Sequence, residues 1–190
     1  MNSLKTLFLL PVLALLSVSL FANTDTTFVV TKVNLQTPGG TIYGTLTTPV
    51  TVNQWPVALI IAGSGPTDRD GNNVKMKNNS LKILSEELAK QGIASLRYDK
   101  RGIAESKDAG KSEADLRFDD YIADAAGWIE TLKKDKRFSQ VIVIGHSEGS
   151  LIGMIAAAKA DKFVSVAGAG RSIDKVLKQQ LSAQPKEIQD

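Results

Sequence analysis

The chain moves between two hydrophobic rhythms. Residues 27–37, "TFVVTKVNLQT", alternate apolar with polar positions and are rich in β-branched side chains. Pro38-Gly39-Gly40 then turns the chain into residues 41–49, "TIYGTLTTP". This alternation predicts two half-buried antiparallel strands. Residues 56–63, "PVALIIAG", are apolar without alternation, the pattern of a strand covered on both faces. Residues 93–99, 141–145 and 163–168 ("IASLRYD", "VIVIG" and "FVSVAG") predict three more strands of this series. Between them the period lengthens. Leu81, Leu84 and Leu88 fall at helical spacing, with Asn79 or Ser80 as the cap and Gly92 as the stop. A second helix is expected over residues 117–134. Its inner face is Phe118, Tyr121, Ile122, Ala125, Ile129 and Leu132, with Asp119 and Asp120 at the positive end of its dipole. A third helix starts just after Ser147. Strands alternating with helices imply an α/β fold, a mostly parallel sheet with helices on both faces. Ligands bind such sheets at the carboxyl ends of the strands. The loops after Gly63, Asp99, Gly145 and Gly168 are therefore expected to share one rim.

The N-terminus does not belong to this pattern. Lys5 is its only charge before Asp25, and an apolar run over residues 7–16 leads into the small residues Ser17, Ser19 and Ala22. That is the layout of a secretory signal peptide over residues 1–22, leaving a domain over residues 23–190 in the periplasm or outside the cell. Cleavage after Ala22 sets the bulky Leu20 three positions back, so cleavage after Ser19 is the alternative. An uncleaved anchor is the rival, but the run falls short of the ~20 residues a span needs, so no stable membrane insertion is expected after cleavage. With no cysteine in the chain, an exported domain is held by its core alone, and a lipid-modified N-terminal cysteine is excluded. Composition is ordinary for a globular protein at 43% hydrophobic and 23% charged. Loss of Lys5 with the leader takes the basic count from 23 to 22 against 20 acidic residues, and the two signs are interleaved. Nothing in that distribution suggests a nucleic-acid partner.

The chemistry concentrates in residues 141–153, "VIVIGHSEGSLIG". Gly145-x-Ser147-x-Gly149 between a strand and a helix is the pattern of a nucleophile elbow. A very tight turn there forces the middle residue into a strained conformation and aims its side chain out of the sheet. The paired glycines let the strand and helix backbones crowd together, and Gly153 keeps the same helix face small. The helix N-terminus below Ser147 favours an anionic intermediate. The competing reading, Ser147 as an ordinary helix cap, accounts for the serine but not for the glycines.

Acyl transfer also needs two backbone N–H groups aimed at the developing oxyanion. One belongs to the residue after the nucleophile, Glu148. The other is expected from the loop after the neighbouring strand, residues 60–73, "IIAGSGPTDRDGNN", where Gly63 and Gly65 permit close approach and Ser64 is the candidate donor. Asp68, Asp70 and Asn72 invite a calcium reading. The EF-hand pattern fails, however, because Gly71 comes too early and Asn79 stands where a glutamate is needed. Asp68 and Asp70, with Arg69, are expected to tie the loop together or line the pocket mouth. Asn78-Asn79-Ser80 fits a glycosylation sequon, and helix capping is the preferred explanation.

With these pieces the chain resembles the α/β-hydrolase superfamily, in its secreted bacterial esterase and serine aminopeptidase-like branch. The resemblance covers residues 27–182 and rests on "AGSGPTDRDGN", on "RYDKRGIAES" (residues 97–106) and on "GHSEGS". The family usually carries D-x-R-G-x-G-x-S in the second segment. Here Asp99, Arg101, Gly102 and Ser106 match, while Ala104 stands in place of the second glycine. The resemblance implies that this segment shapes the rim, so the departure should be a local matter of backbone. It also makes "RSIDKVLKQQL" (residues 171–181) the start of a cap, whose stripe of Ile173, Val176, Leu177 and Leu181 reads otherwise as a core-packing face.

In this family the order along the chain is serine, acid, histidine, and no histidine follows Ser147 here. The single histidine, His146, is the serine's neighbour across a sharp turn, and its family-like role is packing beside the nucleophile. A lysine base has no support either, since Ser150 stands at the S-x-x-K offset from Ser147. Truncation at the C-terminus is the simplest expectation, with the last strands, most of the cap and two triad members in on the order of 100 further residues. The function expected is a serine-type carboxylic ester hydrolase working through an acyl-enzyme on Ser147, with small-molecule esters as substrates and neither cofactor nor metal. An aminopeptidase-like amide hydrolase and a non-catalytic binding protein on the same fold are the alternatives.

Overall fold

A computed structural model of the protein describes residues 27–50, 54–110 and 113–182. The expected leader and its cleavage sites lie outside them. The alternating segments form an antiparallel hairpin of β1 (Phe28–Thr37) and β2 (Gly40–Pro49). Its two-residue turn closes on a hydrogen bond from Thr37 Oγ1 to the Gly40 carbonyl, 2.7 Å. Gly40 takes φ 123°, and a Cβ there would stand 2.8 Å from Ala109 Cα, so only glycine fits. β2 continues antiparallel onto β4 (Ala94–Tyr98). From β4 onward the sheet is parallel, through β3 (Trp55–Ile61), β5 (Phe138–His146) and β6 (Lys162–Val166), giving the order β1-β2-β4-β3-β5-β6.

β3 shows why its sequence lacks alternation. The strand period of two sends Val57, Leu59 and Ile61 into one cluster with α2 (Phe118–Lys134) and α3 (Glu148–Ala156). Ile60 and the following Ala62 go to the opposite face, against Leu81, Leu84 and Leu88 of α1 (Ser80–Lys90). Each fully buried leucine or isoleucine contributes about 1.5–3 kcal/mol relative to exposure. The face expected of α2 packs as read, and two further residues join it: Trp128 and the carboxylate of Asp124, both buried. Under α1 a small polar cluster is closed by Ser85 Oγ, which donates to Thr47 Oγ1 and accepts from Ser95 Oγ.

The cap of α1 differs from expectation. Asn79 occupies the cap position in the left-handed region, φ 52°, but its side chain makes no capping bond and instead accepts from Asn72. Asn78 takes the Ser80 amide at 2.9 Å, and the Asp70 carbonyl takes those of Leu81 and Lys82. The orphan donors of the first turn are thus met by the preceding loop.

One other expectation is corrected, and one alternative reading falls. β6 was expected to be covered, yet all five of its residues are exposed, including Phe163, Val164 and Val166. The reason is topological. β6 pairs with β5 only, and among the described residues no further strand pairs with it. α4 (Ile173–Ser182) carries the predicted apolar stripe, but Ile173, Leu177 and Leu181 are exposed, so the stripe is not a core face of the described fold. Among the described residues no helix is long and apolar enough to cross a membrane.

The strand order also locates the crevice. From β3 the chain crosses to β4 on one side, and then returns to β5 on the other. The loops leaving β3 and β5 therefore diverge, and such a switch point is where open α/β sheets bind ligands.

Candidate active site

Ser147 stands at that switch point, between the end of β5 and the start of α3. Its φ of 52° and ψ of −117° lie far from the extended backbone of a helix cap, and its side chain makes no capping bond. Ser147 as a whole is half-buried. The neighbouring glycines explain how the turn closes. A Cβ on Gly145 would meet the Gly149 carbonyl oxygen at 2.2 Å, and one on Gly149 would meet the Ile61 oxygen at 2.3 Å. Gly153 lies against Val143 and Phe163, as the small helix face requires. β6 helps to hold the turn, since the Val166 carbonyl accepts from the Ser147 amide at 2.9 Å. Ser150 Oγ donates to the Gly145 carbonyl at 2.5 Å.

The residues expected to work with Ser147 are brought together. A Cβ on Gly63 would lie 3.3 Å from Ser147 Cβ and 3.1 Å from His146 Nδ1, so the loop after β3 lies directly on the elbow. Ser64 follows at the exposed edge of that contact, ahead of Gly65 with φ 80°. The Glu148 amide is in the first turn of α3, where helices leave N–H groups without an internal acceptor. His146 flanks Gly63, and among the described residues no hydrogen bond joins its ring to the Ser147 hydroxyl.

The polar residues of the loop bind the loop itself. Asp68 Oδ1 accepts from the amides of Asp70 and Asn72, at 2.9 and 2.8 Å. Arg69, buried, donates to Asp99 Oδ2 at 2.6 Å and to Glu105 Oε2 at 2.7 Å, while its own amide donates to Asp99 Oδ1 at 2.7 Å. Burial opposes the charge on Arg69, but Asp99 and Glu105 carry its pKa above the ordinary guanidinium value. Glu105 is held below the usual carboxylate range, first by Lys32 and then by Arg69. The D-x-R-G-x-A-x-S segment acts in the same way. Arg101 donates to Asp124 at 2.6 Å and to Thr37 Oγ1 at 3.0 Å, and Ser106 Oγ accepts the Tyr43 amide at 2.9 Å. Burial raises the pKa of Asp124 in spite of Arg101. A cavity of about 630 Å³ between the hairpin and residues 105–108 is lined by none of Gly63, Ser64, Ser147 and Glu148.

One residue of the site escaped the sequence reading. Lys100, buried just past β4, donates to the Gly63 carbonyl at 2.6 Å and to Glu148 Oε2 at 3.0 Å. Its ammonium also lies 5.4 Å from the centre of the Tyr121 ring. The available signal was a lysine at the carboxyl end of a covered strand, on the predicted rim.

The mostly parallel sheet, the crossover at β3 and β5 and the glycine-packed strand-to-helix turn define an α/β hydrolase fold. Residues 78–182 match the family described as serine aminopeptidase, S33, and the chain belongs to that family. It is 32% identical over 140 residues to Esterase EstD of Thermotoga maritima, a match covering 73% of this chain and 33% of that protein. Among solved structures, the α/β hydrolase GrgF from Penicillium sp. sh18 aligns with a TM-score of 0.61 at 21% identity, over 80% of this chain and 50% of that one. A cold-adapted esterase from an Arctic intertidal metagenomic library aligns with a TM-score of 0.60 at 16% identity, over 83% and 67%. At those identities the likeness is one of fold. The chain spans a third of the length of EstD and half that of GrgF.

Proposed function

We propose that the protein is an exported serine hydrolase of small-molecule carboxylic esters, acting in the periplasm or outside the cell. Ser147 Oγ attacks the ester carbonyl, and the amides of Ser64 and Glu148 receive the oxyanion. The alcohol leaves to give an acyl-enzyme, which water then hydrolyses. The observation that carries the reading is the backbone of Ser147. A serine at φ 52° is strained, its hydroxyl caps nothing, and two glycines without room for a Cβ surround it. Likeness to EstD supports the ester, and membership of the S33 family supports hydrolysis in general. His146 makes no hydrogen bond to the serine, so this reading does not use it as the general base.

A fluorophosphonate offered to the full-length protein and to Ser147→Ala tests this. Labelling of the first and none of the second is expected, with hydrolysis of p-nitrophenyl acetate falling more than about 10⁴-fold in the variant. Labelling that survives the substitution would remove Ser147 as nucleophile, and a protein that neither labels nor hydrolyses would be a binding protein on this fold. The family's description gives weight to a second reading, an amide hydrolase acting at peptide amino termini. Turnover of amino-acid p-nitroanilides above that of p-nitrophenyl esters would establish it.

A further inference from the structure

Lys100 is the least expected member of the rim. Its side chain is 5% exposed, and its three N–H directions are met by the Gly63 carbonyl, the Glu148 carboxylate and the face of Tyr121. An ammonium buried this deeply carries a heavy desolvation cost, and a structural ion pair could be replaced by apolar side chains with little loss. What it touches points elsewhere. Gly63 and Ser64 share one peptide group, and that group is planar and trans, so its carbonyl and its N–H point in opposite directions. Holding the Gly63 oxygen at 2.6 Å therefore turns the Ser64 N–H away from the lysine. The same ammonium holds the side chain of Glu148, whose amide is the other donor of the oxyanion hole.

We infer that Lys100 is a positioning residue that sets both oxyanion-hole donors through one buried ammonium. Glu148 gains a role for its carboxylate by the same contact: it draws Lys100 toward α3 and couples the loop after β3 to the elbow. The inference rests on the proposed serine mechanism. It concerns preorganisation, because the donors must be in place before charge develops.

The test uses the full-length protein, with p-nitrophenyl acetate as substrate and a trifluoromethyl ketone as a ligand that forms a tetrahedral oxyanion on the serine. In Lys100→Met the methyl-capped chain fills the channel without the charge. Removing one whole donor costs about 10²–10³ in kcat, so a donor left unpinned should cost on the order of 10- to 100-fold. KM is expected to stay within about twofold, and ketone affinity to fall by the same factor as kcat/KM. Glu148→Gln keeps the backbone donor and the Gly63 contact, so a smaller loss in kcat is expected. The Lys100 and Glu148 effects should be non-additive in the double variant. Glu148→Gln also serves if Lys100→Met does not fold, since unchanged kcat and ketone affinity there would overturn the coupling. A Lys100→Met enzyme with kcat within twofold, or with ketone affinity intact, would overturn the positioning role while leaving Ser147 in place. Hydrolysis that survives Ser147→Ala would overturn both.

Discussion

Two segments of the rim are held in place by opposite means. The turn at Ser147 is fixed by side chains that are missing, with Gly145 and Gly149 bringing β5, α3 and the end of β3 into backbone contact. The segment from Asp99 to Ser106 is fixed by side chains that are present and charged. Asp99 reaches Arg69, Arg101 reaches Asp124 and Thr37, and Ser106 reaches Tyr43. The first device is rigid because there is no space to move, and the second because several buried polar groups would be left unsatisfied if it moved. The proposed nucleophile is served by the first kind, since a misplacement of about 1 Å can cost on the order of 10²-fold in rate. A supporting loop can rely on the second.

The contrast is broken most directly by adding one carbon to the elbow. In Gly149→Ala the new Cβ would stand 2.3 Å from the Ile61 carbonyl oxygen and 2.6 Å from that of Ala62, backbone atoms at and just past the end of the central strand. No side chain can swing aside, so β3 and α3 must separate, and the cost should exceed about 4 kcal/mol. Gly65→Ala is the control, since its added Cβ meets open space and only its φ of 80° penalises alanine, by about 1–2 kcal/mol. Urea unfolding followed by circular dichroism would measure both. A Gly149→Ala midpoint equal to that of the parent would show that the crowding is not what holds the turn.

The charged device should fail with a smaller loss. Asp99→Asn turns an amide N–H₂ toward Arg69 or the Glu105 amide, where the native oxygen accepted from both. It leaves Arg69 with Glu105 alone, and breaking a buried pair from one side costs about 3–5 kcal/mol. The exposed pair Lys159–Glu130 offers the internal comparison, and Glu130→Gln should leave the urea midpoint nearly unchanged. Equal losses from Asp99→Asn and Glu130→Gln in the same denaturation experiment would mean that the Asp99 network adds no more than surface pairing.

The same division decides what could be read from the chain. The elbow was legible because its causes are local: five residues, a strand before them and a helix after them contain the whole steric problem. β3 was legible because burial on two faces removes alternation, and the face of α2 because its period is intact over the whole helix. The rim loop was legible only as a segment that shapes the site. Its partners lie far off in sequence, and nothing in "DKRGIAES" says that Asp99 meets Arg69 or that Lys100 meets Gly63 and Glu148. The Asn79 cap misled because the preceding loop, folded by Asp68 and Asp70, supplied the acceptors itself. β6 misled for another reason. Its residues are apolar enough for a covered strand, but cover is a property of neighbours, and the described sheet gives it only β5.

Ala104 joins the two devices, and a substitution there should have the smallest effect and the opposite sign. It stands where the resemblance calls for glycine, and its φ of 45° is in the left-handed region, close to the 52° of Ser147. At Ser147 such strain accompanies a hydroxyl that makes no capping bond. At Ala104 the methyl is exposed, and the turn is closed by backbone bonds from Lys107 N to the Ala104 carbonyl and from Ser106 N to the Ile103 carbonyl, with the Glu105 amide donating to Asp99 Oδ2. Left-handed alanine costs about 1–2 kcal/mol, and glycine returns roughly 0.5–1 kcal/mol of that through the freedom it gives the unfolded chain. Ala104→Gly should therefore stabilise the protein by about 0.5–1 kcal/mol, seen as a higher urea midpoint at unchanged slope, with the rate of fluorophosphonate labelling unaltered. A lower midpoint would mean that stiffness of the backbone at this position matters more than its strain. The charged loop would then share the elbow's dependence on conformation, and the separation between the two devices would narrow to the residues that contact Ser147.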